Sequence, residues 1–153
     1  MQGTVIYPSP VGDILIRYDG EFVTELKPAD AGAINGEATP LTETVFKQLN
    51  EYFGGVRKTF DFRYKLNGTP FQKKVWGELC KIPYGETRSY KDIAAAIGCP
   101  KAYRAVGAAN HANPIFIIIP CHRVIGANGT LTGYGGGLKM KRALLNLETK
   151  HNK

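Results

Sequence analysis

The chain has little cysteine, almost no acid in its second half and no long apolar run. Each shortage closes off a class of function. Three cysteines among 153 residues are too few, and odd in number, for a disulfide framework, so a reducing, cytoplasmic setting is expected. No CxxC pair occurs, and residues 1–65 contain neither Cys nor His, so a zinc site there would lack its ligands. The apolar runs fall far short of the roughly 20 residues that a membrane helix needs. Met1–Tyr7 lacks the basic start and apolar core of a secretory signal. Residues 125–137 hold six glycines but neither the Lys-Ser/Thr ending of a phosphate loop nor a dinucleotide fingerprint in context. Neither a nucleotide cofactor nor a metal is expected.

What the chain does have is basic charge, unevenly placed. Residues 1–65 carry 7 Lys/Arg and 9 Asp/Glu, whereas residues 66–153 carry 13 and 4. Such an asymmetry points to a polyanion, nucleic acid, as the partner of the second part. A merely solvated basic surface is the plainer alternative.

Residues 1–65 read as a small β-rich scaffold. Strands are expected at Thr4–Tyr7, Asp13–Tyr18 and Phe22–Leu26, the last pair joined at Asp19-Gly20. Leu41, Val45, Leu49 and Phe53 share a helical face that ends at Gly54, and Phe60, Phe62 and Tyr64 alternate as in a half-buried strand. From residue 66 the pattern turns helical. Phe71, Val75 and Leu79 share a face, with Trp76 and Cys80 beside it. Ser89 with Asp92 suggests a capping box before a helix ending at Gly98. Pro100 suits the first position of a next helix, over 101–110. Two short helices with a Gly-containing turn make a helix-turn-helix candidate. The second helix is mostly Ala and Gly, with Tyr103 and Arg104 as its long side chains. It suits close approach to a backbone or a minor groove, where Arg104 could enter the base stack. Simple close helix packing is the other reading. In the last helix Leu138, Leu144, Leu145 and Leu147 are expected to face the core, with Lys139, Lys141 and Arg142 outward.

The chemistry gathers at Asn113–Val124. Phe116–Ile119 is an apolar run stopped by Pro120, and Cys121, His122 and Arg123 follow. A buried inert thiol is one reading. A nucleophile is the other. Neighbouring side chains in extended backbone point apart, so His122 would reach Cys121 through a water. Glu148, the sole acid after Asp92, would orient the imidazole. Such a relay lowers a thiol from about 8.5, with help from Arg123.

Pro120-Cys-His-Arg-Val124, with Asn113-Pro114 before it and Gly133-Tyr134-Gly-Gly-Gly-Leu138 after it, closely resembles the O6-alkylguanine-DNA alkyltransferase family. Phe71–Trp76, Tyr84–Glu86, Ser89-Tyr90 and Arg104–Gly107 extend the resemblance over about residues 69–149. It implies an α+β fold: a small N-terminal antiparallel sheet plus helix, ribonuclease-H-like, over 1–65. A mostly helical winged helix-turn-helix domain over 66–153 follows, for DNA binding and alkyl acceptance. The implied activity is repair of O6-alkylguanine, chiefly O6-methylguanine, in double-stranded DNA. The base is flipped through the minor groove, and the alkyl group passes irreversibly to the protein's own cysteine, once per monomer. The implied catalytic residues are Cys121, His122, Glu148 and Tyr90. Arg104 would fill the vacated stack, Asn113 would brace the turn, and Cys121 and Val124 backbone groups would read the guanine edge. Tyr134 and the Gly135 amide would line the alkyl pocket, and Tyr103 and Ser89 would meet DNA. Rivals are a cysteine hydrolase, a regulator with an idle thiol, and a protein that flags alkylated bases without repairing them.

Overall fold

The structure, a computed structural model, describes residues 2–126, 129 and 137–152. Two compact units result, Met1–Asn67 and Gly68–Lys153.

In the first unit β1 (Gln2–Tyr7), β2 (Ile14–Asp19) and β3 (Phe22–Pro28) form an antiparallel meander. Central β2 buries Ile14, Leu15 and Ile16 in succession, as a strand covered on both faces must. Gly20, at φ +62°, makes the tight turn into β3. The free edge of β1 is blunted by a loop: the Ile6 amide donates to Asn35 Oδ1 at 3.0 Å, and the Gly36 amide to the Thr4 carbonyl at 2.8 Å.

Helix α1 (Pro40–Phe53) starts at a capping box between Thr39 and Thr42. Its buried face is Thr42, Val45, Gln48, Leu49 and Tyr52; Val45 and Leu49 lie there as expected, whereas Leu41 and Phe53 are only half-buried. Polar partners turn the helix. Tyr7 Oη donates to Thr42 Oγ1 at 3.0 Å, and the Gln48 amide donates to Asp61, so polar residues sit inside satisfied. The strand expected over 60–64 does not form. Tyr64 makes one isolated parallel bridge to Val23. Phe60 and Phe62 instead follow Tyr52 in a run of ring contacts, at 5.7 and 6.2 Å between centroids.

The second unit begins with α2 (Pro70–Leu79), capped by Thr69 and Gln72. Val75, Trp76 and Leu79 are buried, while Phe71 is half-buried and Cys80 exposed. Ser89 accepts from the Asp92 amide and so caps α3 (Tyr90–Ala96). α4 (Tyr103–His111) starts two residues later than expected. Pro100 sits instead in the connecting turn, which the Ala102 amide closes on the Cys99 carbonyl at 2.8 Å, the second-position role proline suits. α3 and α4 pack on each other and both on α2. Trp76 Nε1 donates to the Ala109 carbonyl at 2.8 Å.

Two-residue strands β4 (Arg88–Ser89) and β5 (Val124–Ile125) pair in parallel. The last helix, α5 (Leu138–His151), packs on the turn just before β5. Its buried face is Lys141, Leu144 and Glu148, an i, i+3, i+7 stripe. Leu138 is 49% exposed and Lys141 0%, the reverse of the expectation. The acid is drawn inward because it meets His122 and Arg123 of the buried turn, and the lysine lies 5.9 Å from the Tyr90 ring.

Candidate active site

Cys121 lies at the start of a single 3-10 turn, Cys121–Arg123, and not in extended backbone. All three of its side chains are buried. Upstream, Ile115–Ile119 forms a buried tight turn, not a strand. The Ile118 amide donates to the Phe116 carbonyl at 2.8 Å, and the Ile119 amide to the Ile115 carbonyl at 3.1 Å. Ile117 holds φ +72°, the one positive φ at a non-glycine residue among those described. A β-branched residue is strained in that conformation, which persists only where surroundings over-determine it. Asn113 is part of those surroundings: its Nδ2 donates to the Ile119 carbonyl at 2.7 Å, and its Oδ1 accepts from the Ile115 amide at 3.0 Å. Asn110 Nδ2 donates to the Cys121 carbonyl at 3.3 Å, so α4 holds the cysteine's own backbone.

One carboxylate organises the base side. Glu148 Oε2 lies 2.6 Å from His122 Nε2 and accepts from Arg123 Nη2 at 2.9 Å. Its Oε1 accepts from Arg123 Nε at 2.7 Å and from the Gly85 amide at 3.2 Å. Arg123 also donates to the Ile82 carbonyl at 2.8 Å. The arginine is therefore bound on the carboxylate through two of its nitrogens.

Burial alone would push the Glu148 carboxyl up, but bonds and charges from His122 and Arg123 hold it well below the usual carboxylate range. Burial pushes the His122 imidazole down, against the pull of Glu148. The permanent guanidinium already compensates the carboxylate, so His122 stands as a neutral ring with Nε2–H donated to Glu148. Among the described residues its Nδ1 is buried without a hydrogen-bond partner. A lone pair held there, one residue from a thiol, can act as a general base.

Tyr90 opens α3. Its ring faces Gly107 of α4, where an added Cβ would meet it at 3.8 Å, an ordinary contact, so this spot does not itself demand glycine. Lys141 Nζ lies 5.9 Å from the same ring. Ser89 is committed to capping α3, and Val124 is buried in β5. Arg104 is exposed on α4. Tyr103 beside it is 39% exposed and stacks under Lys91 Nζ at 5.4 Å. Tyr134 and Gly135 lie outside the described residues, as do most of the glycine-rich residues 125–137. Sequence reasoning missed Lys141 and Asn110. The i, i+3, i+7 spacing of Lys141, Leu144 and Glu148 was the available signal for the first. For Asn110 no pattern marked it.

Two family models match. The one described as 6-O-methylguanine DNA methyltransferase, ribonuclease-like domain, covers residues 5–66, and the DNA binding domain of the same family covers 70–150. A methylated-DNA–protein-cysteine methyltransferase of Methanosarcina barkeri is 49% identical over 94% of each chain. The constitutive protein of that name from Bacillus subtilis is 46% identical, over 92% of this chain and 91% of its own. Among solved structures, Mycobacterium tuberculosis O6-methylguanine methyltransferase superposes with a TM-score of 0.91 at 46% identity, over 99% of this chain and 94% of that one. The Mycobacterium tuberculosis protein in complex with DNA gives 0.90 at 47%, over 97% and 93%. The chain belongs to the 6-O-methylguanine DNA methyltransferase family.

Proposed function

We propose that this protein repairs O6-methylguanine in double-stranded DNA by moving the methyl group to Cys121. The observation that carries the assignment to this residue is the buried constellation around it. A thiol begins a rigid turn, the next side chain is a neutral imidazole with a ring nitrogen unpartnered among the described residues, and Glu148 orients that ring.

The Cys121 proton passes, through one intervening water, toward His122 Nδ1. The sulfur attacks the methyl carbon, a C–S bond forms, and the C–O6 bond breaks with its electron pair going to oxygen. The guanine regains a proton, so the sum is a thioether and unmodified guanine. Tyr90, at the start of α3, supplies a hydroxyl to the departing base. Nothing in the chain reverses a thioether, and each monomer reacts once. An alkyl group on O6 lies within the duplex, so the base is first flipped at a cost of roughly a few kcal/mol. Exposed Arg104 on α4 fills the vacated space, entering from the minor groove. The N-terminal unit is scaffold, and DNA binding and alkyl acceptance belong to the C-terminal one. Among the described residues no helix is long and apolar enough to cross a membrane. A thiol that must stay reduced until used suits the cytoplasm.

The test is intact-mass measurement after incubation with O6-methylguanine duplex DNA. A gain of one CH2 group on the unchanged chain, missing from Cys121→Ser, is expected. Turnover well beyond one equivalent, or methyl on another residue, overturns the reading.

A further inference from the structure

The segment between α2 and β4 makes three contacts to the buried ion pair, and the relay described above gives none of its side chains a part. Pro83-Tyr84-Gly85-Glu86 closes as a turn, with the Glu86 amide donating to the Pro83 carbonyl at 3.0 Å. Gly85, third in the turn, holds φ +82°, a conformation that calls for glycine at that position. An added Cβ would also come within 2.2 Å of the Asn152 side chain at the end of α5. The bare backbone therefore lies against α5, and the Gly85 amide donates to Glu148 Oε1 at 3.2 Å. Just before the turn, the Ile82 carbonyl accepts from Arg123 Nη1 at 2.8 Å. Tyr84 supplies the third contact. Arg123 Cζ stands over its ring, 5.6 Å from the centroid, and its hydroxyl end is buried.

We propose that Tyr84 is a positioning residue for the general base, its ring face holding the Arg123 guanidinium so that Glu148 keeps His122 in one tautomer. The inference rests on the reading of His122 as the base that serves Cys121. A guanidinium is a flat cation whose N–H groups all lie in its plane. All three Arg123 nitrogens are used there: Nε and Nη2 donate to Glu148, and Nη1 donates to Ile82. In-plane bonds do not cover a face; the Tyr84 ring does. A cation over an aromatic face is attracted electrostatically, and more strongly where water is excluded. Arg123 is only 7% exposed. Glu148 Oε2 is shared between Arg123 Nη2 and His122 Nε2, at 2.9 and 2.6 Å. Any drift of the guanidinium therefore moves the oxygen that the imidazole donates to. Water entering over the uncovered face would compete for that oxygen, and the His122 proton would lose the acceptor that fixes it on Nε2. It would then spend time on Nδ1, the nitrogen that has to receive the Cys121 proton.

The test compares Tyr84→Phe, which keeps the ring face, with Tyr84→Leu, which keeps apolar bulk without one. The His122 ring-nitrogen resonances report its tautomer with no DNA present, and His122→Gln identifies them among those of the three histidines. Single-turnover methyl transfer from O6-methylguanine duplex DNA is the second readout. The unchanged protein should show one Nε2–H tautomer. Tyr84→Phe should keep it and transfer methyl within about twofold of the unchanged rate, because phenylalanine offers a cation the same kind of face. Tyr84→Leu should shift the resonances toward a mixture with Nδ1–H. It should also slow transfer by about tenfold, part of the roughly 100-fold that a general base contributes. An unaltered tautomer in Tyr84→Leu, or a phenylalanine variant that behaves like the leucine one, overturns the proposal. If Tyr84→Leu does not fold, pentafluorophenylalanine in place of Tyr84 decides, since it keeps the ring shape and reverses the charge of its face. It should shift the tautomer, and resonances matching those of Tyr84→Phe overturn the proposal. Because the tautomer is read without DNA, an unchanged protein that fails to take up methyl strikes the repair reading and leaves this one to the resonances.

Discussion

His122 and Glu148 are 26 residues apart in sequence, yet Nε2 and Oε2 are 2.6 Å apart inside the second unit. The contact fastens α5 to the turn that carries Cys121, and it also chooses the tautomer. With Nε2–H spent on the carboxylate, the remaining lone pair is on Nδ1. One carboxylate thus serves both the fold and the base.

Replacing Glu148 by glutamine should damage both. The Glu148→Gln side chain would keep the shape but leave Arg123 buried without a counter-charge, a loss of about 3–5 kcal/mol. The imidazole would also lose its orienting partner, and methyl transfer should slow by about tenfold or more, since a general base step is worth at least about 100-fold. Denaturant midpoints and single-turnover rates measure the two effects separately.

Stability should fall with acid earlier than carboxylate titration alone would allow. The unfolded chain protonates His122 near 6.5, while the folded ring, its pKa lowered by burial, stays neutral. The unfolded state therefore binds more protons, and stability declines as pH drops below about 6.5. Glu148, whose folded value is depressed, adds a second decline below about 4.3. Urea titrations between pH 7 and 3 should show both, and His122→Gln should lack the first.

Ile117 offers a direct test of the strained turn. Ordinarily glycine is less favourable than alanine by about 0.5–1 kcal/mol in regular structure. At φ +72° the order should invert. Ile117→Ala creates a cavity and keeps the strain, whereas Ile117→Gly creates a slightly larger one and releases about 1 kcal/mol or more. The glycine variant should be the more stable of the two in chemical denaturation.

Arg104 should separate folding from DNA handling. The side chain is exposed, so Arg104→Ala is expected to change stability by less than about 0.5 kcal/mol. Methyl transfer from duplex DNA should slow markedly. Transfer from free O6-methylguanine base, which needs no flipping, should not change.

The caps and turns were legible in the sequence because they are local. The Ser89–Asp92 box, the Asp19-Gly20 turn and the end of α1 at Gly54 each depend on a few adjacent residues. Cys121, His122 and Glu148 stood out because reactive side chains were scarce around them. What could not be read was decided by tertiary partners. Gln48 turned inward toward Asp61, and Phe60 met the Tyr52 ring, with Phe62 against Phe60, instead of joining a ladder. Lys141 shares an i, i+3, i+7 stripe with Leu144 and Glu148, but lysine is so rarely fully buried that its composition hid the stripe.

Glu148 has a consequence that reaches beyond the relay. It is the only acidic side chain after Asp92, and it is 1% exposed, with both oxygens occupied by donors. From residue 93 onward the protein therefore shows solvent no carboxylate side chain. A duplex sliding over α4 and α5 would meet cations and neutral groups, with no local repulsion to mark one phosphate from the next. Such a surface holds DNA without favouring any sequence and lets it move, which is what a search for rare damaged bases requires.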